Sequence, residues 1–157
     1  MTKLSKKTLK SELISLLEST LATLETAHAA AREGATHEEA KPENDKDTRA
    51  LEQSYLARGQ AMRIEALKAG LASLGVMSIA PCEAGKLGAL LEAEDEDGVT
   101  VRYFLAAEGG GSKLKGGVQV VTPASPLGAA LVGKRAGDEV ELRLGGKARG
   151  LVIASVS

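Results

Sequence analysis

Between residues 5 and 35 apolar side chains recur every three or four positions, and no Gly or Pro interrupts them until Gly34. Leu, Ala, Lys and Glu dominate, all good helix formers. On a heptad, Ile14, Leu21 and His28 take position a while Leu17, Leu24 and Ala31 take position d, which gives the helix a seam for a partner. A second such pattern runs from about residue 42 to 74, with Gln53, Gln60, Leu67 and Leu74 at a and Ala57, Ile64 and Leu71 at d. Both seams are strongly apolar at the end away from residues 34–41 and become polar or small toward them. Two antiparallel helices forming a hairpin satisfy this pattern, with a loop at 34–41 and the start of the next helix as the tip. About thirty helical residues give it a length of about 45 Å.

Beyond residue 75 the period changes. A linker, Ala80-Pro81-Cys82-Glu83-Ala84-Gly85, leads into runs that alternate with period two at 87–94, 99–106, 118–122, 138–144 and 150–156. Asp95-Glu96-Asp97-Gly98 reads as a hairpin turn and Gly109-Gly110-Gly111-Ser112 as a flexible one. After the third run Pro123 stops the ladder, because it offers no backbone N–H. Ser125 then stands as an N-cap with Pro126 at N1, and Leu127, Ala130 and Leu131 form the apolar face of a short helix. Gly133 fits the C′ position, Lys134 and Arg135 suit a helix C-terminus, and a Gly137-Asp138 turn opens the next strand. The predicted fold class is α+β. An antiparallel coiled-coil hairpin over residues 1–78 precedes a small antiparallel β-sheet domain with one short helix over 79–157.

Composition removes several functions. Aromatic residues make up 2% of the chain, so neither an aromatic ligand cage nor a base-stacking platform is available. Net charge is −1, so no basic field draws the chain to nucleic acid, which it would meet only indirectly, through another protein. The single Cys82 and two His residues supply neither an internal disulfide nor a zinc cluster. Lys3, Lys6, Lys7 and Lys10 are followed by Glu12 and Glu18 with no small-residue cleavage site, and no apolar run reaches the roughly 20 residues of a membrane span. The expectation is a soluble cytoplasmic monomer with no membrane contact and no cofactor of its own.

The run Ser125-Pro126-Leu127-Gly128-Ala129-Ala130-Leu131-Val132-Gly133-Lys134-Arg135-Ala136-Gly137-Asp138 resembles the hallmark of the GreA/GreB transcript cleavage factors, strand, capped helix, turn and strand included. The similarity is strongest over residues 85–156, and the hairpin matches in architecture. The resemblance implies an FKBP-like C-terminal domain and, as partner, bacterial RNA polymerase, entered through its secondary channel. It makes the chain an accessory factor rather than an enzyme, one that regulates elongation and stimulates cleavage of backtracked RNA. It further implies docking on the polymerase rim near Ser125, Pro126, Gly133, Lys134 and Asp138, and channel contacts by Asn44, Asp45 and Asp47. Prolyl isomerase chemistry is not implied, because its pocket is lined with aromatics and this domain offers only Tyr103 and Phe104.

In that family an Asp stands three residues before a Glu-Asn pair. Here Glu43-Asn44 matches the pair, but position 40 is Ala, and Glu39 lies one residue out of register. The implied catalytic help comes in trans. Mg²⁺ keeps most of its waters and is held by one or two carboxylates, so Glu43 would help retain a second Mg²⁺ at the polymerase active site while another acid orients the attacking water. A loop would let Glu39 take the place vacated at Ala40; a continuous helix would not, because one residue turns the side chain by about 100°. The alternative is a channel occupant that modulates or inhibits without cleavage. The structural counterpart of these readings is a helix N-terminus decorated with acids, capped by Thr36 and Glu39 as a capping box.

Overall fold

A computed structural model of the chain describes residues 4–39 and 47–157. Two long helices come first, α1 (Lys6–Glu39) and α2 (Asp47–Val76). Ser5 opens α1, its hydroxyl accepting the Thr8 N–H at 3.4 Å and its carbonyl accepting the Leu9 N–H at 3.0 Å. α1 continues as helix through Gly34 and Thr36 to Glu39, so the loop expected from residue 34 is not formed over 34–39. Thr36 therefore lies within α1, at the end of the first helix rather than at the start of the second. The expected Pro42 start of the second helix falls outside the described residues.

Six strands and one short helix follow: β1 (Leu90–Asp95), β2 (Thr100–Leu105), β3 (Lys113–Leu114), β4 (Val118–Val121), α3 (Pro126–Leu131), β5 (Glu139–Leu144) and β6 (Lys147–Val156). They form one sheet in the order β3-β4-β2-β1-β6-β5. The expected antiparallel sheet is mixed at one place, where β2 and β4 run parallel with Phe104 opposite Val120. The physical reason is β3. It occupies the edge outside β4 and pairs with it antiparallel, so the chain enters β4 from the far side. The segment read as flexible is tied down, with the Gly111 N–H donating to Val120 O at 2.8 Å and the Val120 N–H to Ser112 O at 2.8 Å.

The chain divides into two compact units, Leu16–Leu71 and Met1–Ser15 with Ala72–Ser157. In the larger unit one sheet face carries the main core: Leu91, Tyr103, Leu105, Val121, Leu142, Leu151 and Ile153, with Leu131 of α3 buried among them. On the opposite face Leu90, Phe104, Val118 and Val120 are also buried. The same unit holds the first turns of α1 and the end of α2, where Leu9, Leu13, Leu74 and Met77 are buried. Polar contacts fasten these ends. Lys10 Nζ donates to the carbonyls of Gly75 at 3.0 Å and Met77 at 2.9 Å, supplying charge to the C-terminus of α2. Glu12 accepts the Lys115 N–H at 3.2 Å.

Among the described residues the smaller unit contains only helix. In α1 the covered positions are Leu17, Leu21, Leu24, His28 and Ala31; in α2 they are Gln53, Ala57, Gln60, Ile64, Leu67 and Leu71, along with Ser54, Ala61 and Gly70 beside them. Alternating steps of four and three residues mark a period of 3.5, and among the described residues of this unit only the other seam is available to cover each one. The exposed side of α1 carries Thr20, Thr23 and Thr26, whose hydroxyls donate to the carbonyls four residues earlier.

Candidate functional site

The strand–helix–turn segment is built from its own backbone demands. Ser125 has extended backbone angles, φ −77° and ψ 154°, and its Oγ accepts the Gly128 N–H at 3.0 Å while donating to Thr122 O at 2.8 Å. Pro126 follows as the first helical residue, where its missing N–H costs nothing. Gly128 has no alternative, since a Cβ there would stand 1.8 Å from Thr122 O. The helix ends at Val132, whose N–H reaches Gly128 O at 3.1 Å, and Gly133 takes a left-handed φ of +80°.

The next residues clasp the linker. The Gly133 N–H donates to Gly85 O at 2.8 Å and the Gly85 N–H to Lys134 O at 2.9 Å, and Ala84 bridges to Arg135. Asp138 closes the turn, its carboxylate accepting the Arg135 N–H at 2.8 Å and its carbonyl accepting the Ile153 N–H at 2.8 Å. Of the residues expected to dock, Ser125, Pro126, Gly133 and Asp138 are thus engaged in shaping the domain. The Lys134 backbone is engaged as well, and its half-exposed side chain is what remains to present to a partner. Arg135 beside it is exposed and pairs with Glu83 at 3.6 Å, a surface contact worth little.

A cleft of about 350 Å³ opens beside α3, floored by Val101, Leu127, Leu142 and Leu151 and edged by Asp95 and Arg149. Tyr103 is the one aromatic residue lining it. Burial pushes the Tyr103 phenol above its ordinary value and the Asp95 charge adds to this, with Arg149 opposing. Phe104, the other aromatic residue of this region, is fully buried and does not line the cleft. An aromatic-lined proline pocket is therefore not present among the described residues.

At the far end of the helices Glu39 is the last residue of α1 and Asp47 the first of α2. Glu43, Asn44 and Asp45 lie outside the described residues, as does Ala40. Among the described residues no group of three His, Cys, Asp or Glu side chains is arranged to hold a metal. No described helix is long and apolar enough to cross a membrane.

Solved structures similar to the chain include the transcription factor Gfh1, at 21% identity over 91% of this chain and 92% of that one with a TM-score of 0.42. Gfh1 of Thermus aquaticus aligns at 22% identity over 90% and 92%, with a TM-score of 0.41. The GreA/GreB elongation factor from Nitrosomonas europaea aligns at 19% over 81% and 91%, with a TM-score of 0.39. No curated protein matches the chain. Residues 86–157 match the family described as transcription elongation factor, GreA/GreB, C-term, so the C-terminal domain of this chain is similar to the C-terminal domain of those factors.

Proposed function

We propose that this chain binds bacterial RNA polymerase as an accessory elongation factor and that its helical hairpin enters the polymerase secondary channel. The observation that carries this is the family match over residues 86–157. It is supported by a helical unit in which two heptad seams cover one another. What the hairpin does in the channel turns on its acids. Retaining a Mg²⁺ and orienting a water takes two carboxylates, and the chain keeps Glu43 while Ala stands at position 40.

Ala at position 40, where the family pattern has an acid, favours a channel occupant that modulates elongation without cleaving RNA. The test is a stalled, backtracked polymerase with end-labelled RNA across a Mg²⁺ series, run with the chain and with Glu43→Ala and Glu39→Ala. An occupant slows elongation, competes with an authentic cleavage factor and releases no shortened RNA. Shortened transcripts lost on Glu43→Ala would establish cleavage instead, and failure to compete would remove channel binding altogether.

A further inference from the structure

Tyr103 is only 9% exposed and lines the cleft beside α3, yet among the described residues its hydroxyl has no hydrogen-bond partner. A buried phenol ordinarily finds one. This hydroxyl is not sealed in the core, so an acceptor reaches it through the cleft. Burial keeps the phenol protonated, which leaves it a donor. Around it the floor of Val101, Leu127, Leu142 and Leu151 is apolar, and the volume of about 350 Å³ suits a side chain with its adjoining backbone. The rim sets Asp95, Glu96 and Asp97 against one cation, Arg149. Asp95 Oδ1 accepts the N–H groups of Asp97 and Val99, each at 2.9 Å, and Glu96 Oε1 accepts the Gly150 N–H at 2.9 Å, so the acids are held at the mouth. The Asp97 carboxylate has no partner among the described residues. An open hollow of about 540 Å³ shares Asp95, Glu96 and Arg149 with the cleft and adds Glu94, Glu139 and Glu141.

We propose that this cleft binds a basic protein segment, which lays an apolar side chain on the floor, offers a backbone carbonyl to the Tyr103 hydroxyl and sets a Lys or Arg against the acidic rim. Charge selects this occupant. Six carboxylates line the cleft and its adjoining hollow against the single Arg149 guanidinium, so the surface draws in cations and repels phosphate and acidic segments. Nucleic acid is excluded on that ground. The phenol selects an extended segment over a bare cation, because a backbone carbonyl beside the seated side chain gives the orphan donor its acceptor. The inference rests on the lining of the cleft alone and stands whether or not the chain enters a polymerase.

The test is an amide NMR titration of the isotope-labelled full chain with capped hexapeptides, taken into the millimolar range. In one set a central Leu, Ile, Val or Phe is flanked by Lys; in the other the same residues are flanked by Glu. Saturable shifts at Val101, Tyr103, Leu127 and Gly150 are expected from at least one Lys-flanked peptide and from no Glu-flanked one. Tyr103→Phe, which removes the hydroxyl and keeps the ring, weakens that binding by about three- to tenfold. Asp97→Asn weakens it by about twofold and flattens its salt dependence. Asp97 is exposed in its turn, so circular dichroism of that variant stays that of the parent. No saturable shift with any Lys-flanked peptide, equal binding of the Glu-flanked set, or Tyr103→Phe binding as tightly as the parent overturns the inference.

Discussion

Three side-chain atoms in the helical unit, His28 Nδ1, Gln53 Oε1 and Gln60 Oε1, are buried without a hydrogen-bond partner among the described residues. All three belong to position a of their seams. A buried acceptor left unpaired costs about 1–3 kcal/mol, and replacing it by an apolar group of similar shape removes that cost. Gln60→Leu is therefore expected to stabilise the unit Leu16–Leu71 by about 1–3 kcal/mol, and Gln53→Leu by a similar amount. Seven helical residues separate the two sites by about 10 Å, so the double variant should show their sum. Native-state hydrogen exchange is the assay because the gain is local. Amides of α2 between Leu51 and Leu71 should gain protection by roughly tenfold for each 1.4 kcal/mol, while those of β1, β2 and β6 stay unchanged. Equal or lower protection in both single variants would refute the reasoning, because it would mean that these amides are already satisfied.

Three further outcomes follow from particular contacts. Ser125→Ala removes an N-cap and the donor to Thr122 O and should lower stability by about 1 kcal/mol, read as a fall in denaturant midpoint at constant m-value. For Tyr103, burial holds the phenol neutral, so the folded pKa lies above the unfolded value of about 10. The associated stability is full below pH 10 and is lost as pH rises through the folded value. Tyr103→Phe should flatten that alkaline fall, and equal slopes in the two proteins would refute it. Lys134→Ala should leave the denaturant midpoint within about 0.5 kcal/mol of the parent while weakening polymerase binding, measured by competition; unchanged binding would remove Lys134 from the docking surface.

The seams were legible because burial in a two-helix unit depends on little besides the 3.5 period, and every a and d position read from Leu17 to Ala31 and from Gln53 to Leu74 is covered. The reading slipped at the start of α1. Ile14 is only half-buried there, and Leu9 and Leu13 are wholly buried instead, because the first turns of α1 belong to the compact unit of the sheet. Gly34 read as a stop because its helix penalty is about 1 kcal/mol, yet α1 passes through it. The parallel pairing of β2 and β4 was hidden because it depends on a two-residue strand, Lys113–Leu114, too short to show any alternation. The cap, first turn and C′ glycine of α3 were read correctly, since Ser125, Pro126 and Gly133 each answer a local backbone requirement.

The same locality explains why the strongest sequence signature says least about chemistry. A motif is legible when its residues satisfy fixed backbone geometry, and Ser125, Gly128, Gly133 and Asp138 do so through bonds and contacts to Thr122, Gly85 and Arg135. Residues engaged in this way cannot vary without cost to the domain, whatever the domain binds. Substituting them therefore tests folding and docking together, and a loss of binding in Ser125→Ala would not distinguish the two. Lys134 separates them, because its backbone belongs to the clasp with Gly85 while its half-exposed side chain does not. The acids between residues 39 and 47 belong to the proposed channel chemistry, and their spacing departs from the family pattern at Ala40.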